Sequence, residues 1–389
     1  MTRPRTSCYR PNVQTDVVAS ARALTPTLRA ASEAIERGRR LPADIVAALT
    51  DAGVFRLCVP AAFGGIEASA TTLVETIEAV ATADASAGWC TMIGATTGVV
   101  SAYLPEAAAR AIYSSGHDVV TGGVFAPQGA AVPTTGGYTV NGRWSFASGC
   151  QHCAWLMGGC IVRGEPAVPP RMMILPADQV EIIDTWDTAG LRGTGSHDLV
   201  IRDRFVATDY SVSLVADRPR APGPLYAFPV FGLLALGIAG VALGIARAAI
   251  DELIALASAK SPSDSRRRLA DRGVVQSQVA QAEAQVSAAR AFLFEQIGLA
   301  WHTAAAGDPI PVAQRVRLRL AATYATSSAA QAVDLMYACG GGSAIYARSP
   351  LQRSFRDVHT VTAHAMVAPS TLELAGRVLL GLPTETALL

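Results

Sequence analysis

The stretch GRWSFASG, residues 142–149, lies in a section of short, β-rich runs that separates two long helical sections of the chain. Runs rich in β-branched and aromatic residues, bounded by glycine, proline and aspartate, predict strands. They recur at residues 119–120, 138–140, 155–162, 172–175 and 199–206. The sequence therefore predicts a small central β-domain at residues 117–215.

Apolar residues spaced three and four apart predict helices on both sides of this β-domain. Ile45, Leu49, Leu73 and Ile77 follow this spacing, which indicates a helical domain at residues 1–116. After the β-domain, four long helices are predicted at residues 228–257, 276–305, 312–339 and about 364–380. They fit a C-terminal four-helix bundle at residues 216–389. The predicted fold class is thus α+β, mainly α.

The composition and the net charge of the chain limit the kinds of partner that we expect. Half of the residues are hydrophobic, 16% are charged, and the net charge is +1, so we expect no nucleic acid and no anionic membrane as partner. A small-molecule ligand and a homo-oligomer fit this composition better. Residues 1–15 carry arginines but no apolar run, which argues against a signal peptide and indicates a cytoplasmic protein.

Two local patterns allow more than one interpretation. Residues 228–246 carry no charge and match a membrane span in length, but Pro229 and four glycines favour a core helix. The seven cysteines predict reduced thiols. The string CQHC at residues 150–153 permits a metal or redox site, which needs a second ligand pair; packing of the cysteines in a turn is the simpler interpretation.

A second informative segment lies near the end of the chain. Three glycines at 340–342 are followed by SPLQR at 349–353, RDVH at 356–359 and then His364. This order predicts a helix end, a turn, a charged helix start and a histidine beyond it. Together with residues 142–149, it suggests one buried site of the size of a flavin.

The order of the three domains resembles the acyl-CoA dehydrogenase superfamily, and several strings agree with it along nearly the whole chain. Residues 60–65 resemble its Pro-x-x-aromatic-Gly-Gly loop, residues 136–149 its flavin-facing strand, and GLRGTGS at 190–196 its signature turn. The chain departs from the dehydrogenases where they carry a catalytic glutamate. No acid follows Gly342 until Asp357, which we expect to pair with a neighbouring arginine.

The string RDVHTVTAH at residues 356–364 is instead similar to the group D two-component flavin-dependent monooxygenases, such as the oxygenase component of p-hydroxyphenylacetate hydroxylase. The resemblance implies a homotetramer that takes reduced FAD or FMN from a separate NAD(P)H-dependent flavin reductase. With dioxygen and a flavin hydroperoxide, it would hydroxylate a phenol- or indole-like small molecule. An acyl-thioester dehydrogenase or oxidase with bound FAD, an N-oxygenase of an amine and a non-catalytic scaffold are the alternatives.

In that family a serine of the β-domain and a late histidine flank the flavin, and by position these are Ser148 and His364. From the residues alone, Ser148 can also cap a turn and His364 can cap the last helix. A histidine suits proton transfer because its usual pKa of about 6.5 makes both forms accessible near neutral pH.

Further residues are expected around these two. The expected cofactor contacts are Trp155, Phe125, Thr194, Ser196, Arg268 and Gln276, and the expected substrate contacts are Trp89 and His359. The tryptophans can equally fill the core, the glycine-rich turn can serve only to turn the chain, and residues 266–268 can be a solvated charge cluster. His359 lies five residues before His364, on another helical face, and is the second choice for the key histidine.

Overall fold

The computed structural model describes residues 13–114, 116, 118–164, 168–261, 267–387 and 389, with side chains from residue 17 onward. Six helices form the N-terminal section: α1 Val13–Ala23, α2 Thr25–Gly38, α3 Ala43–Asp51, α4 Ala70–Ala83, α5 Ala85–Thr97 and α6 Glu106–Tyr113. Asp84 joins α4 to α5, and its Oδ1 accepts a hydrogen bond from Ala87 N at 2.9 Å. Such a cap satisfies a backbone donor that the first helical turn leaves unpaired.

One sheet of seven strands follows: β1 Thr121–Thr134, β2 Gly137–Ala147, β3 Trp155–Val162, β4 Arg171–Pro176, β5 Glu181–Ile183, β6 His197–Ala207 and β7 Ser211–Val212. Their order is β5-β6-β2-β1-β3-β4-β7, and β1 and β3 pair in parallel while the other neighbours are antiparallel. The described strands all lie inside the predicted range of 117–215. The domain boundaries themselves stay a prediction.

Trp144 explains why the string at 142–149 is rich in small residues. Its ring is fully buried in the β-domain, and its Nε1 donates to Gly159 O at 2.7 Å. A Cβ on Gly129, Gly142 or Gly158 would lie 2.1, 2.6 and 2.6 Å from that ring. Glycine at these positions therefore makes room for the indole between strands.

The C-terminal section contains α7 Pro224–Ala227, α8 Val230–Ala259, α9 Gly273–Ala305, α10 Val312–Gly340, α11 Pro350–Thr362 and α12 Ser370–Leu379. The prediction of one last helix over 364–380 is wrong, because the chain forms α11, a turn at 363–369, and α12. Pro369 accounts for the break: a continuous helix would place its ring against the carbonyl of Ala365. His364 consequently lies in the turn between these helices.

The long apolar segment is a core helix. Helix α8 has the length and composition to cross a membrane, but 89% of its most apolar window is buried inside the protein. A Cβ on Gly244 would lie 2.6 Å from Glu78 O, and one on Gly237 would lie 2.7 Å from Met92 Cγ. These glycines let α4 and α5 pack closely against α8, which favours the core interpretation over a membrane span.

Candidate active site

Three buried hydroxyl groups form a continuous hydrogen-bonded chain where α5 meets the β-domain. Trp89 Nε1 donates to Ser148 Oγ at 2.9 Å, and Ser148 Oγ lies 2.7 Å from Ser196 Oγ. Ser196 Oγ lies 2.7 Å from Thr194 Oγ1, which donates to Leu191 O at 2.8 Å. We call Ser148, Ser196 and Thr194 the hydroxyl chain. The structure thus brings together four of the residues that the sequence places at the site.

The two ends of the hydroxyl chain fix the direction of every hydrogen bond in it. An indole N–H can only donate and a carbonyl oxygen can only accept. The geometry allows Thr194 Oγ1 to donate to Leu191 O; with that donation, Ser196 donates to Thr194 and Ser148 donates to Ser196. Ser148 Oγ accepts from Trp89, and a hydroxyl oxygen can accept twice. Ser148 therefore has its proton committed and one acceptor position left for a further N–H group.

The backbone around the hydroxyl chain explains the glycines of both strings. Gly149 (φ 71°) and Gly195 (φ 51°) adopt the left-handed conformation, which glycine accepts without strain. Gly149 N donates to Thr194 O at 2.8 Å and so ties the end of the first string to the second. Leu191 adopts φ 49°, an unfavourable conformation for a residue with a side chain. The sequence alone did not single out Leu191.

His364 faces Trp89 from the turn after α11. The two ring centroids lie 5.7 Å apart with a tilt of 60°. Met366 N donates to His364 Nδ1 at 3.2 Å, so the neutral ring carries its proton on Nε2. Burial, and then the nearby Arg319 cation, lowers the pKa of His364 to about 4. At neutral pH the residue is a neutral hydrogen-bond donor, contrary to the expectation that both forms are accessible there.

His359 has a different environment. It lies on α11, half exposed, with Nε2 2.8 Å from Asp334 Oδ1 and its ring packed edge-on against Phe355 at 4.7 Å. These contacts direct it toward α10. The structure does not bring it to Trp89, and its role toward substrate stays a prediction.

The expected partners of the flavin ring pack against other aromatic residues. Trp155 stacks on Tyr210 with ring centroids 5.6 Å apart and a 3° interplanar angle. Phe125 contacts Phe231 of α8 edge-on at 6.2 Å. Both rings are half-buried, and their assignment to the cofactor stays a prediction.

The expected phosphate contacts are bonded locally. Arg268 Nε lies 3.5 Å from Asp271 Oδ2, and Gln276 Nε2 donates to Ala270 O at 2.9 Å. Both side chains are exposed. Arg266 lies outside the described residues. The contribution of this segment to flavin binding stays a prediction.

Asp357 corrects one sequence expectation. Its Oδ1 accepts from Leu191 N at 2.6 Å, whereas the neighbouring Arg356 bonds to the Glu36 carboxylate and to Ala189 O. Burial raises the pKa of Asp357 to about 7. The expected pairing of Asp357 with an arginine is therefore replaced by a hydrogen bond to the backbone of the glycine-rich turn.

An exposed phenylalanine, two residues before Ser148, and a half-buried tryptophan that bonds to Leu191 form a pair that also went unpredicted. Phe146 is 68% exposed with φ 70°, and its ring meets Trp186 edge-on at 6.2 Å. Trp186 Nε1 donates to Leu191 O at 2.9 Å. A large apolar residue held exposed in a left-handed conformation indicates a surface for contact with another group.

The donor set fits a flavin, which is a flat apolar ring with a polar edge. Ser148 offers an acceptor for a ring N–H, neutral His364 offers a donor, and the exposed Phe146 and half-buried Trp186 offer apolar surface. Among the described residues, no group of three or more His, Cys, Asp or Glu side chains is placed to hold a metal ion. The chemistry of the residues present is thus that of an organic cofactor site.

Comparisons with known proteins agree with this geometry. The acyl-CoA dehydrogenase N-terminal domain matches residues 13–111, and the acyl-CoA dehydrogenase C-terminal domain matches residues 236–369. The chain is 38% identical to the indole-3-acetate monooxygenase of Pseudomonas putida, over 89% of each chain. It is 30% identical to the flavin-dependent monooxygenase oxygenase subunit HsaA of Rhodococcus jostii RHA1, over 89% of this chain and 93% of that one.

The chain belongs to the flavin-dependent monooxygenases of the acyl-CoA dehydrogenase fold. Solved structures confirm the predicted fold. The crystal structure of 3-HSA hydroxylase from Rhodococcus sp. RHA1 matches with a TM-score of 0.90 and 29% identity, over 96% of this chain and 99% of that one. XiaF from Streptomyces sp., solved with FADH2 and glycerol, matches with a TM-score of 0.88 and 25% identity, over 95% and 96%. The predicted enzyme class, a flavin-dependent monooxygenase using reduced flavin, is confirmed.

Proposed function

We propose that this monooxygenase is the oxygenase component of a two-component system and hydroxylates an indole- or phenol-like small molecule. In this proposal a separate NAD(P)H-dependent reductase supplies reduced FAD or FMN. The observation that carries the proposal is that Ser148, where the hydroxyl chain begins, and the neutral donor His364 both contact Trp89. Relatives whose names specify indole-3-acetate and resorcinol support an aromatic substrate.

When bound, reduced flavin supplies two electrons and activates dioxygen, so that one oxygen atom enters the substrate and the other leaves as water. The protein's own residues bind, orient and exclude water. Ser148 Oγ would accept a hydrogen bond from an N–H of the flavin while its own proton is donated to Ser196. His364 Nε2–H would donate a hydrogen bond to the flavin or to the substrate. A neutral donor in a buried site stabilises developing negative charge without a prior change of protonation.

Trp89 has a positioning role in this proposal. Its N–H fixes the first member of the hydroxyl chain, and its ring supports the imidazole of His364. It therefore holds Ser148 and His364 in one relative arrangement. Such preorganisation matters because small displacements of catalytic groups reduce rates strongly.

An acyl-thioester dehydrogenase is disfavoured by the residues around His364. That reaction needs a carboxylate to remove an α-proton, and residues 358–369 contain neither aspartate nor glutamate. Asp357, the nearest acid in sequence, is bonded to Leu191 N. N-oxygenation of an amine would use the same site, and only the product distinguishes it from ring hydroxylation.

We further propose a cytoplasmic homotetramer. Leu379, Leu380 and Ile345 are 66%, 77% and 65% exposed in the single chain. Apolar side chains exposed to this degree support burial against further copies. Light scattering of the purified protein tests the assembly: a mass four times that of the chain is expected, and a monomer contradicts it.

The experiment that tests the function combines the purified protein with a flavin reductase and NADH, and screens indole-3-acetate, resorcinol and simple phenols. The ratio of hydroxylated product to hydrogen peroxide is measured for each compound. We expect at least one aromatic compound to raise product above peroxide, and His364→Ala to reverse that ratio. Peroxide alone with every aromatic compound, together with turnover of an acyl thioester, would contradict the proposal.

A further inference from the structure

The backbone of Leu191 is the point on which the hydroxyl chain ends. Its carbonyl accepts from Thr194 Oγ1 at 2.8 Å and from Trp186 Nε1 at 2.9 Å, while its N–H donates to Asp357 Oδ1 at 2.6 Å. The residue adopts φ 49°, which surrounding contacts must hold because a side chain disfavours it. Asp357 supplies the ionisable side chain among those contacts.

Helix α11 is fitted closely against the turn that contains Leu191. A Cβ on Gly190 would lie 2.2 Å from Arg356 O, so only glycine lets the two backbones approach. Arg356 bonds to Ala189 O and to Glu36 of α2, which fixes the helix on the other side. His364 follows the end of the same helix. Helix α11 thus carries the carboxyl group that bonds to Leu191 N, and the turn that follows it carries the imidazole that packs against Trp89.

Asp357 shares a cavity of about 250 Å³ with Asp84, away from the hydroxyl chain. Both carboxylates are more than nine-tenths buried. Asp84 caps α5, the helix that carries Trp89, and Asp357 holds the turn that carries Leu191. The two ends of the hydroxyl chain are therefore each held by one carboxylate from the same cavity. The other charged groups lining it, or acting on Asp357, are Arg29, Glu36, Asp251, Glu252, Arg353 and Arg356.

We propose that Asp357 is a positioning residue for Ser148. Asp357 accepts a hydrogen bond from the N–H of Leu191 and so fixes the backbone of that residue. The Leu191 carbonyl then stays in place to accept the hydrogen bond of Thr194 Oγ1. This acceptor sets the direction of the hydrogen bonds along the hydroxyl chain. Without it the turn relaxes from the left-handed conformation, the chain loses its fixed end, and the proton of Ser148 is free to point elsewhere. The effect on catalysis rests on the proposed function, whereas the effect on the turn does not.

The test uses Asp357→Ala, Asp357→Asn and, as a matched control, Asp251→Asn, which lines the same cavity but lies at its exposed side. The first readout is hydrogen–deuterium exchange of the full-length, flavin-free protein at residues 186–196. We expect exchange there to rise about tenfold or more in Asp357→Ala and to stay near wild type in Asp357→Asn, whose amide oxygen still accepts from Leu191 N. The control should match wild type.

The second readout is the ratio of product to hydrogen peroxide with reduced flavin. In Asp357→Ala we expect this ratio to fall several-fold with KM for the aromatic compound unchanged, and to recover in Asp357→Asn. Thr194→Val removes the donor to the same carbonyl, so the double variant should be no worse than the poorer single variant.

The proposal is overturned if hydrogen–deuterium exchange at residues 186–196 is unchanged in Asp357→Ala. It is also overturned if the losses of coupling in the two single variants multiply in the double variant. If Asp357→Ala does not fold, the test rests on Asp357→Asn. The proposal is then overturned if this variant does not show the hydrogen–deuterium exchange and the coupling of wild type. The exchange at residues 186–196 can respond as expected while the protein hydroxylates no aromatic compound. That result would support the role of Asp357 in positioning the turn and contradict the proposed function.

Discussion

The indole nitrogen of Trp89 donates to Ser148 Oγ across 2.9 Å, although the two residues lie 59 positions apart and in different sections of the fold. This bond starts a chain of hydroxyl groups whose direction is fixed at both ends. It leaves Ser148 as an acceptor, and it places the ring of Trp89 against His364. One site is thus formed by α5 of the N-terminal section, the end of β2 and the turn between α11 and α12.

Ser148→Ala should separate oxidation of reduced flavin from product formation. The change removes the acceptor of the site and leaves Trp89 N–H unpaired, which costs about 1–3 kcal/mol of stability. We expect the product formed per reduced flavin to fall at least about tenfold, with peroxide rising in its place. Flavin binding, measured by fluorescence quenching, should stay within a few-fold of wild type. Coupling equal to wild type would remove Ser148 from the active site.

Trp89→Phe tests whether the indole N–H directs the hydroxyl chain. The substitution keeps an aromatic ring beside His364 but removes the donor to Ser148. The hydroxyl chain then loses its fixed start, and we expect a loss of stability of about 1 kcal/mol together with a several-fold fall in coupling. Chemical denaturation and the product-to-peroxide ratio measure the two effects. Trp301→Phe, at the aromatic contact with Phe228, is the matched control and should retain coupling.

His364 should act in its neutral form throughout the neutral range. Its pKa is lowered to about 4, so the hydroxylation rate should show no inflection from His364 between pH 5.5 and 8. An inflection near pH 6.5 that disappears in His364→Gln would show instead that the imidazolium is accessible. The product formed per reduced flavin across this pH range is the measurement.

The lowered pKa of His364 makes the free energy of unfolding depend on this residue at acidic pH. The folded pKa of about 4 lies below the ordinary histidine value of 6.5, so this contribution is fully present above pH 6.5 and is lost as pH falls toward 4. His364→Gln should therefore lose less stability than wild type between pH 6.5 and 4. Urea unfolding at several pH values measures the difference, and parallel curves for the two proteins would contradict the assigned pKa.

Asp357 should have the opposite effect. Burial raises its folded pKa to about 7 from the ordinary aspartate value of 3.8, so its contribution is fully present below pH 3.8 and is lost as pH rises through 7. Wild type should thus lose stability relative to Asp357→Asn as pH rises from 4 to 7. Equal slopes in urea unfolding would show that the carboxyl keeps an ordinary pKa.

The sequence predicted much of the fold because local patterns determine it. Burial along a single helix or strand leaves a pattern in the sequence. The β-rich runs, the spacing of apolar residues and the absence of charge at residues 228–246 are such patterns. The resemblance pointed to Ser148 and His364, which both contact Trp89 in the structure, and their assignment to the active site stays a prediction. The break between α11 and α12 was missed, although Pro369 signals it.

The remaining features of the site depend on contacts between distant parts of the chain. Leu191 N and Asp357 are 166 residues apart, and no periodicity reveals that a carboxylate beside an arginine will bind a backbone N–H instead. The lowered pKa of His364 likewise depends on burial that only the packed turn creates. Positive φ at Leu191 and Phe146 is equally invisible in a sequence, because neither residue favours it.

The central claim is that this protein places one atom of dioxygen into an aromatic compound at the site of Ser148 and His364. The most direct test is turnover with ¹⁸O₂, reduced flavin and the aromatic compound that gives the highest coupling, followed by mass spectrometry of the product. The account predicts one ¹⁸O atom in each product molecule and none from labelled water, with product yield lost in Ser148→Ala and His364→Ala. Product oxygen from water, or a substrate that only loses two hydrogen atoms, would contradict it.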